Sequence, residues 1–281
     1  AAICAMQPQV LLLDEPTSHL DPQGTRDILR IVKKLNSETG ITVVLATHRT
    51  KEVAPLCNHV WLMEDGRICL DLPKADAFQD VTPYQRLGVQ VPVDAPSNAP
   101  TSPLKPAANV ERQEALLNIQ NLHFRYPNTH KDAVCDISCE VPRGEVLAIM
   151  GANGSGKTTL IHLIAGLLRS SAGEITIDGK PCSRVKLHQL AGKVGIVFQD
   201  PDLLLQAETV RDEVAFGPKN LKFPKKDLEK RVDRTLTRFD LQNLGSEAPY
   251  ALSRGQRQRS IPTFSYSMNP PLVKTRSTSI S

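Results

Sequence analysis

A glycine-rich loop between a short apolar strand and an apolar helix constrains this chain more than any other feature. Residues 146–150 read V-L-A-I-M, residues 151–158 read G-A-N-G-S-G-K-T, and residues 159–164 read T-L-I-H-L-I. In this setting the pattern G-x-x-x-x-G-K-T predicts a loop whose backbone N–H groups converge on phosphate oxygens. The N-terminus of the following helix adds a partial positive charge. The sequence therefore predicts a site for the phosphates of a nucleotide.

The same loop offers side chains for a nucleotide triphosphate and its metal ion. Lys157 is placed to neutralise the outer phosphates, and the hydroxyl of Thr158 suits Mg²⁺ that bridges the β- and γ-phosphates. A glycine-rich turn without a ligand is the competing interpretation, which the strand, loop and helix context disfavours. We expect Mg-ATP as the ligand. Its predicted binding residues here are Gly151, Asn153, Gly154, Ser155, Gly156, Lys157, Thr158 and Thr159.

A second segment with candidate chemistry lies near the start of the chain. Residues 10–13 read V-L-L-L and are followed by Asp14 and Glu15. Asp14 is a candidate magnesium ligand, and Glu15 is a candidate for polarising an attacking water molecule. For an isolated pair of acids, solvated side chains in a strand-to-helix turn are the competing interpretation.

Two polar residues follow other predicted strands. His48 comes after the strand predicted at residues 41–46, on the side of the sheet where ligands bind in open α/β folds, and it is a candidate contact of the γ-phosphate. Gln199 follows the strand predicted at residues 194–198 and is a candidate for supplying an amide oxygen to magnesium. A lone histidine at a strand end is more often structural, and Gln199 alone is a weak signal.

An aromatic residue and a second loop complete the set of candidates. Tyr126 is predicted to stack on adenine, with Phe124 competing for that role. Residues 252–259 read L-S-R-G-Q-R-Q-R, so Ser253, Gly255 and Gln256 form a possible anion-binding helix start. An ordinary helix cap would give the same pattern.

The pattern along the chain predicts two structured segments and a linker. Residues 1–80 alternate between strands and a helix at about residues 22–36, which predicts a parallel sheet. Residues 81–114 are rich in proline and predict a semi-extended linker. Residues 115–259 begin with antiparallel strands and continue as strand and helix, and residues 260–281 form a tail rich in Ser and Thr.

Composition narrows the classes of function. Hydrophobic residues make up 40% and charged residues 23% of the 281 residues, a balance typical of folded, water-soluble proteins. No apolar run approaches the ~20 residues that cross a bilayer, so we expect a cytoplasmic protein. The net charge of +4 is not concentrated in a basic stripe, which argues against nucleic acid as a partner. The six cysteines are scattered and predict reduced packing residues.

Together these motifs resemble the ATP-binding subunits of ABC transporters. The resemblance assigns Walker A to residues 151–158, the Q-loop to Gln199, the signature motif to residues 252–256, Walker B to residues 10–15, the D-loop to residues 18–21 and the H-loop to His48. It implies an α/β fold of the P-loop NTPase type, a RecA-like parallel sheet with helices, joined by the antiparallel β layer of ABC ATPases. It also implies ATP hydrolysis with Mg²⁺.

Two further stretches resemble the energy-coupling-factor branch of that family. Residues 197–201 read V-F-Q-D-P and residues 209–218 read T-V-R-D-E-V-A-F-G-P. This resemblance implies import of a vitamin or a metal ion. The implied partners are integral membrane transporter subunits and a second ABC ATPase domain, with the chain peripheral on the inner face of the cell membrane.

The order of the motifs departs from the family, because Walker B, the D-loop and the H-loop precede Walker A, the Q-loop and the signature. One interpretation joins the end of a first ATPase domain (residues 1–80) to the start of a second (residues 115–259) in a truncated or frame-shifted copy with an aberrant tail. The other is a permuted single domain, which predicts Asp14 and Glu15 near Lys157 in one molecule. Arg254 replaces the usual glycine, and His19 the usual small residue.

Three functions remain open from the sequence. The leading hypothesis is the ATPase subunit of an importer. The second is a soluble ABC ATPase of translation or DNA repair, although the long helical insertions of those proteins are missing. The third is an inactive nucleotide-binding fragment, which the unusual tail favours.

Overall fold

The computed structural model describes residues 2–18, 20–90, 114–184, 190, 192–199, 205 and 207–252. The strands in these ranges are β1 (Val10–Asp14), β2 (Thr42–Thr47), β3 (His59–Glu64), β4 (Arg67–Pro73), β5 (Ala115–Phe124), β6 (Val134–Pro142), β7 (Val146–Gly151), β8 (Ala172–Ile177), β9 (Lys180–Pro181) and β10 (Val194–Val197). The helices are α1 (Ala2–Ala5), α2 (Pro22–Thr39), α3 (Thr50–Val53), α4 (Lys74–Ala77), α5 (Thr82–Arg86), α6 (Lys157–Ile164), α7 (Val210–Asn220) and α8 (Lys225–Arg238).

Strands from both sides of the proline-rich segment form one six-stranded sheet. Its order is β10-β1-β2-β7-β3-β4, and every neighbouring pair is parallel except β3 and β4. Strand β1 therefore lies between β2 and the later strand β10, and β7 lies between β2 and β3. This arrangement is the one that the permuted-domain hypothesis predicts.

Side-chain hydrogen bonds also join the two segments. Asn36 Nδ2 donates to the carbonyl oxygen of Gly144 over 2.7 Å, and the hydroxyl of Thr42 accepts from the N–H of Gly144 over 2.7 Å. Asn58 Oδ1 accepts from the N–H of Val146 over 2.9 Å. Polar groups at the start of β7 are thus satisfied by the segment that contains β1 to β4.

The second sheet is antiparallel, as the sequence predicts. It has four strands in the order β6-β5-β8-β9. Its apolar residues, among them Leu117, Ile119 and Leu122, pack with Leu12 and Ile149 of the six-stranded sheet in one buried core. The antiparallel layer therefore covers one face of the large sheet.

The other face of the large sheet is covered by helices. A second core contains Leu11, Leu13 and Val43 of the sheet with Val32 and Leu35 of α2. Because β1 contributes alternate residues to both cores, all five of its residues are buried. This accounts for its continuous apolar run, which is typical of a strand covered on both faces.

Local sequence signals set the bounds of α2. Asp21 caps its start by accepting from the N–H of Gly24 over 2.7 Å, and Pro22 occupies the first turn, where a missing donor costs nothing. Gly40 follows the last turn with φ of 64°, a left-handed cap that glycine adopts without steric cost. The helix ends at Thr39, three residues beyond the predicted end at residue 36.

The predicted linker starts too early. Residues 82–86 form α5, whose Tyr84 is fully buried, and Val89 is buried in the same core. The hydroxyl of Tyr84 donates to the carbonyl oxygen of Ala77 over 2.8 Å. The proline-rich composition led to the prediction of a linker here. Pro83 nevertheless fits the helix, because it stands in the first turn, where proline is tolerated. Residues 91–113 lie outside the described residues.

Within the described ranges, none of the helices combines the length and the apolar character needed to cross a membrane.

Candidate functional site

The predicted site residues meet at one edge of the six-stranded sheet. Strands β10, β1, β2 and β7 are parallel, so their carboxyl ends lie side by side. At those ends lie Gln199, then Asp14 and Glu15, then His48, and then the glycine-rich loop, which begins at the last residue of β7. The structure therefore brings together side chains from both segments of the chain.

Two glycines of the loop are required by close backbone contacts. A Cβ atom on Gly151 would lie 2.5 Å from the carbonyl oxygen of Met63, and one on Gly156 would lie 2.4 Å from that of Ala133. Gly156 and Gly154 also have φ of 101° and 80°, backbone angles that residues with a Cβ atom rarely adopt. The loop can therefore hold its curled shape only with glycine at these positions.

The side chain of Lys157 is folded back over the loop that precedes it. Its ammonium group donates to the carbonyl oxygens of Gly151 and Ala152, each over 3.0 Å, and only 6% of the residue is exposed. Burial lowers the pKa of Lys157, while the nearby carboxylates of Glu15 and Asp14 oppose that shift. The loop thus holds a buried cation at the start of α6.

A direct hydrogen bond links Asp14 of the Walker B segment to Thr158 of the Walker A loop. The hydroxyl of Thr158 donates to Asp14 Oδ1 over 3.0 Å. Burial raises the pKa of Asp14 to about 6; the bond from Thr158 and the charge of Lys157 lower it, and the charge of Glu15 raises it. A carboxylate and a hydroxyl in contact are hard oxygen ligands of the kind that Mg²⁺ binds.

Glu15 lies beside His48 at the end of β2. Glu15 Oε1 is 2.9 Å from His48 Nδ1, and the side chain of Glu15 is 7% exposed. Glu15 has φ of 47°, an angle that is strained for a residue with a long side chain. Among the described residues nothing donates to the buried Oε2. One carboxylate oxygen of Glu15 is therefore oriented by His48, and the other is left for a further donor.

The structure separates the two aromatic candidates. Phe124 is 7% exposed and belongs to the core beneath the antiparallel layer, whereas Tyr126 is 39% exposed. The rings meet edge to face with their centroids 4.8 Å apart, and the hydroxyl groups of Tyr126 and Thr159 are 3.2 Å apart. Tyr126 therefore lies close to the start of α6 with a free ring surface, which Phe124 lacks.

Comparison with known proteins agrees with this geometry. Residues 134–272 match the family model described as "ABC transporter", and residues 1–54 match one described as "AAA domain, putative AbiEii toxin, Type IV TA system". A "Putative ABC transporter ATP-binding protein" of Methanosarcina mazei is 34% identical over 309 residues, covering 97% of this chain and 53% of that protein. The chain carries an ABC transporter ATP-binding domain. Its fold is the ABC ATPase P-loop fold, as the sequence predicts.

Other ABC proteins give similar matches. A "Putative HMP/thiamine import ATP-binding protein YkoD" of Bacillus subtilis is 30% identical over 278 residues, covering 92% of this chain and 50% of that protein. The chain thus spans about half the length of the curated relatives it matches. A solved structure, titled "Structure of cbiO1 from clostridium perfringens: Part of the ABC transporter complex cbiONQ", is 38% identical over 53% of this chain and 59% of its own, with a TM-score of 0.48.

The remaining predicted residues of the ABC site fall into two groups. Gln199 is exposed just after β10, whose Val197 pairs with Leu13 of β1, and Asn153 is exposed in the loop. The signature residues Ser253, Gly255 and Gln256 lie outside the described residues, as does His19 of the D-loop.

Sequence reasoning missed a residue that holds the D-loop. Arg49, next to His48, donates through its guanidinium group to the carbonyl oxygens of Thr17 and Ser18 over 3.2 and 3.3 Å. The hydroxyl of Ser18 in turn donates to the carbonyl oxygen of Glu15 over 3.0 Å. An arginine directly after the H-loop histidine was the available signal, but its target is set by tertiary structure.

Gly66 was also missed. Its N–H donates to the carbonyl oxygen of Ser155 over 3.0 Å, and a Cβ atom there would lie 2.7 Å from the carbonyl oxygen of Ala133. Gly66 stands in the turn between β3 and β4. The turn between β3 and β4 thus holds the backbone of the glycine-rich loop through a hydrogen bond to Ser155.

The residues present fit Mg-ATP. Within the described ranges the buried hydroxyl of Ser155 has no hydrogen-bond partner, which leaves it for a ligand of the loop. The N–H groups of Lys157, Thr158 and Thr159 open α6 and so lack acceptors within the helix. Together with the Asp14 and Thr158 oxygens, they provide donors for phosphate and oxygen ligands for a magnesium ion.

Proposed function

We propose that this chain belongs to the ATP-hydrolysing subunit of an ABC transporter that imports a small solute. The observation that carries the proposal is the meeting of Asp14 with Thr158, and of Glu15 with His48, at one sheet edge. Phosphate-binding and water-activating groups thereby stand at the same site. ATP hydrolysis needs both kinds of group.

Each residue has a distinct part in the proposed reaction. The N–H groups of the loop and Lys157 bind the phosphates, and Tyr126 stacks on the adenine ring. Thr158, Asp14 and Gln199 would hold Mg²⁺, which would offset the negative charge of the phosphates.

Glu15 and His48 act on the nucleophile. The free carboxylate oxygen of Glu15 accepts a hydrogen bond from the attacking water, because the other oxygen is engaged by His48. His48 is 44% exposed and can reach the γ-phosphate from the same side. We assign Glu15 as the general base and His48 as a contact of the transferred phosphate.

Import of a vitamin or a metal ion rests on the energy-coupling-factor resemblance. The name of the Bacillus subtilis relative, "Putative HMP/thiamine import ATP-binding protein YkoD", supports it. The proposed partners are integral membrane subunits, which would place the chain on the cytoplasmic face of the membrane. A second ABC ATPase domain would face this one.

The length of the relatives supports a tandem arrangement in the longer protein. Alignments run through nearly the whole chain yet cover only about half of each relative. We propose that residues 1–80 and 115–259 then belong to two consecutive ATPase domains, joined by the proline-rich segment. In this chain the same two segments complement each other in one site.

The test is ATP binding and ATP hydrolysis by the chain with Mg²⁺, using Lys157→Ala and Glu15→Gln. Lys157→Ala removes a charge-assisted contact to phosphate, so we expect roughly 10–100-fold weaker binding. Glu15→Gln removes only the base, so we expect unchanged binding with roughly 10²–10⁴-fold slower hydrolysis. Bound labelled ATP and released phosphate are the two measurements.

Glu229→Gln is the matched control, because Glu229 is an exposed residue of α8 far from the loop in sequence. It should hydrolyse ATP like the unmodified chain. Equal hydrolysis by Glu15→Gln and the control would remove Glu15 from the mechanism. Binding without any turnover in the unmodified chain would leave a nucleotide-binding fragment, the third of the functions considered from the sequence.

A further inference from the structure

Three different metal-binding side chains meet where β5 turns into β6. They are His123 of β5, Asp132 of the turn and Cys135 of β6. One ligand atom from each lies within 4.8 Å of the other two. We propose that these residues form a zinc site that is separate from the magnesium site of the nucleotide.

The donor set favours zinc over magnesium. A thiolate, an imidazole and a carboxylate are the ligands that Zn²⁺ takes in proteins, whereas Mg²⁺ prefers oxygen alone. Ligand atoms around a tetrahedral zinc ion lie roughly 3.3–3.8 Å apart, given metal distances near 2.0–2.3 Å. The three atoms therefore need to close by only about 1 Å, which side-chain rotation can supply. A water molecule would complete the fourth position.

The backbone holds the three residues in place. Positions next to His123 and Cys135 are paired across the strands, since Phe124 stands opposite Val134. The N–H of Cys135 donates to the carbonyl oxygen of Gly66 over 2.8 Å, which fixes the start of β6. The side chains of His123 and Asp132 are 36% and 29% exposed, so the cluster is partly shielded yet open to an ion from solvent.

The charges around the cluster are mixed. Arg125 Nε donates to Asp132 Oδ1 over 2.7 Å. The second carboxylate oxygen of Asp132 remains for a metal ion. Asp136 Oδ1 lies 4.0 Å from His123 Nε2 and offsets part of the positive charge.

The experiment is a titration of the full chain with Co²⁺, without nucleotide, followed by displacement with Zn²⁺. A bond from Co²⁺ to a thiolate gives a near-ultraviolet charge-transfer band that oxygen ligands at the nucleotide site do not give. We expect one band-forming Co²⁺ per chain, lost on addition of Zn²⁺. Cys135→Ser should abolish the band, and His123→Gln should weaken Co²⁺ binding roughly tenfold or more.

Cys69→Ser is the control, because Cys69 is an exposed thiol of β4 outside the cluster. It should keep the band, and thermal unfolding without metal should show that all variants fold. Absence of the band in the unmodified chain would overturn the proposal. So would a band that persists in Cys135→Ser, one lost equally in Cys69→Ser, or unchanged affinity in His123→Gln.

Discussion

The carboxyl group of Asp14 lies in surroundings that oppose its ionisation. Its pKa is raised from 3.8 to about 6, mainly by burial. A carboxyl group with a raised pKa in the folded state binds its proton more tightly there than in the unfolded chain. The free energy of unfolding therefore falls as the pH rises from about 4 to about 6, and the loss is complete above the folded-state pKa. The buried carboxylate of Asp14 therefore lowers the free energy of unfolding at neutral pH, and it provides an oxygen ligand for a cation.

Replacement of Asp14 by asparagine tests whether the buried carboxylate lowers stability. Asn keeps an oxygen that accepts from Thr158 but carries no charge. Without nucleotide or metal, we expect the free energy of unfolding of Asp14→Asn near pH 7.5 to be about 1–3 kcal/mol higher than that of the unmodified chain. This difference should shrink towards pH 4. Denaturant titrations at several pH values measure it.

The matched control for Asp14→Asn is Asp240→Asn. Asp240 is exposed and has φ of 55°, a left-handed angle that Asn tolerates as well as Asp. Its substitution should leave the pH profile unchanged. A pH profile of Asp14→Asn that parallels the unmodified chain would refute the burial argument.

At the residue scale, the sequence predicted which side chains belong to the candidate site but not which residues they contact. Lys157 and Thr158 follow from the loop pattern alone. The contact between Thr158 and Asp14 joins distant parts of the chain and follows from sheet order. The same limit applies to Phe124 and Tyr126, because an aromatic pair two residues apart does not reveal which ring the core covers.

Single elements of the fold vary in how far their sequences specify them. Strand β7 and α6 were predicted because a buried apolar run and a glycine-rich loop are strong local signals, and α2 was predicted from its alternation with apolar strands. Strand β4 was not predicted as an element, since its residues R-I-C-L-D-L-P are partly exposed at the edge of the sheet. The helix α5 was hidden in a proline-rich composition.

Tyr84 provides the test of α5 as a structural element. Its ring is fully buried and its hydroxyl donates to Ala77. We expect Tyr84→Phe to lower the free energy of unfolding by about 1 kcal/mol, through loss of one hydrogen bond. Tyr84→Ala should lower it by about 3–5 kcal/mol, because a cavity also forms. Denaturant unfolding measures both.

Gln85→Ala in the same short helix is the control, since Gln85 is exposed. Its effect should stay within about 0.5 kcal/mol. If Tyr84→Ala were as mild as Gln85→Ala, α5 would not be part of the folded core, and the linker would begin near residue 81 as the sequence suggested.

At the scale of the whole molecule, the two segments cannot separate without opening the large sheet. Strands β1 and β2 lie between β10 and β7, so each segment supplies neighbours to the other. Local sequence patterns predicted most of these strands but not their order, because pairing between distant strands depends on the complete set of partners. From the sequence alone, the truncated or frame-shifted copy was therefore the preferred interpretation, and the permuted single domain was the bolder one.

A protease site inserted within residues 91–113 tests the shared sheet. After cleavage under native conditions, we expect the two fragments to elute together from a sizing column and to keep ATP binding. The same cleaved sample in denaturant should elute as two separate fragments, which controls for incomplete cleavage. Separation under native conditions would show that the two segments form independent units.

The interleaved sheet also governs what happens while the chain is being synthesised. Strand β1, which begins at Val10, needs β10, which begins at Val194, as a lateral neighbour. When these residues are synthesised as a chain of their own, the ribosome must release β10 before this sheet can close. Until then β1 and β2 present apolar residues and unpaired edges, the features that make nascent chains aggregate. Such a chain folds late in its own synthesis, and a chaperone that shields its first strands would raise the yield of folded protein.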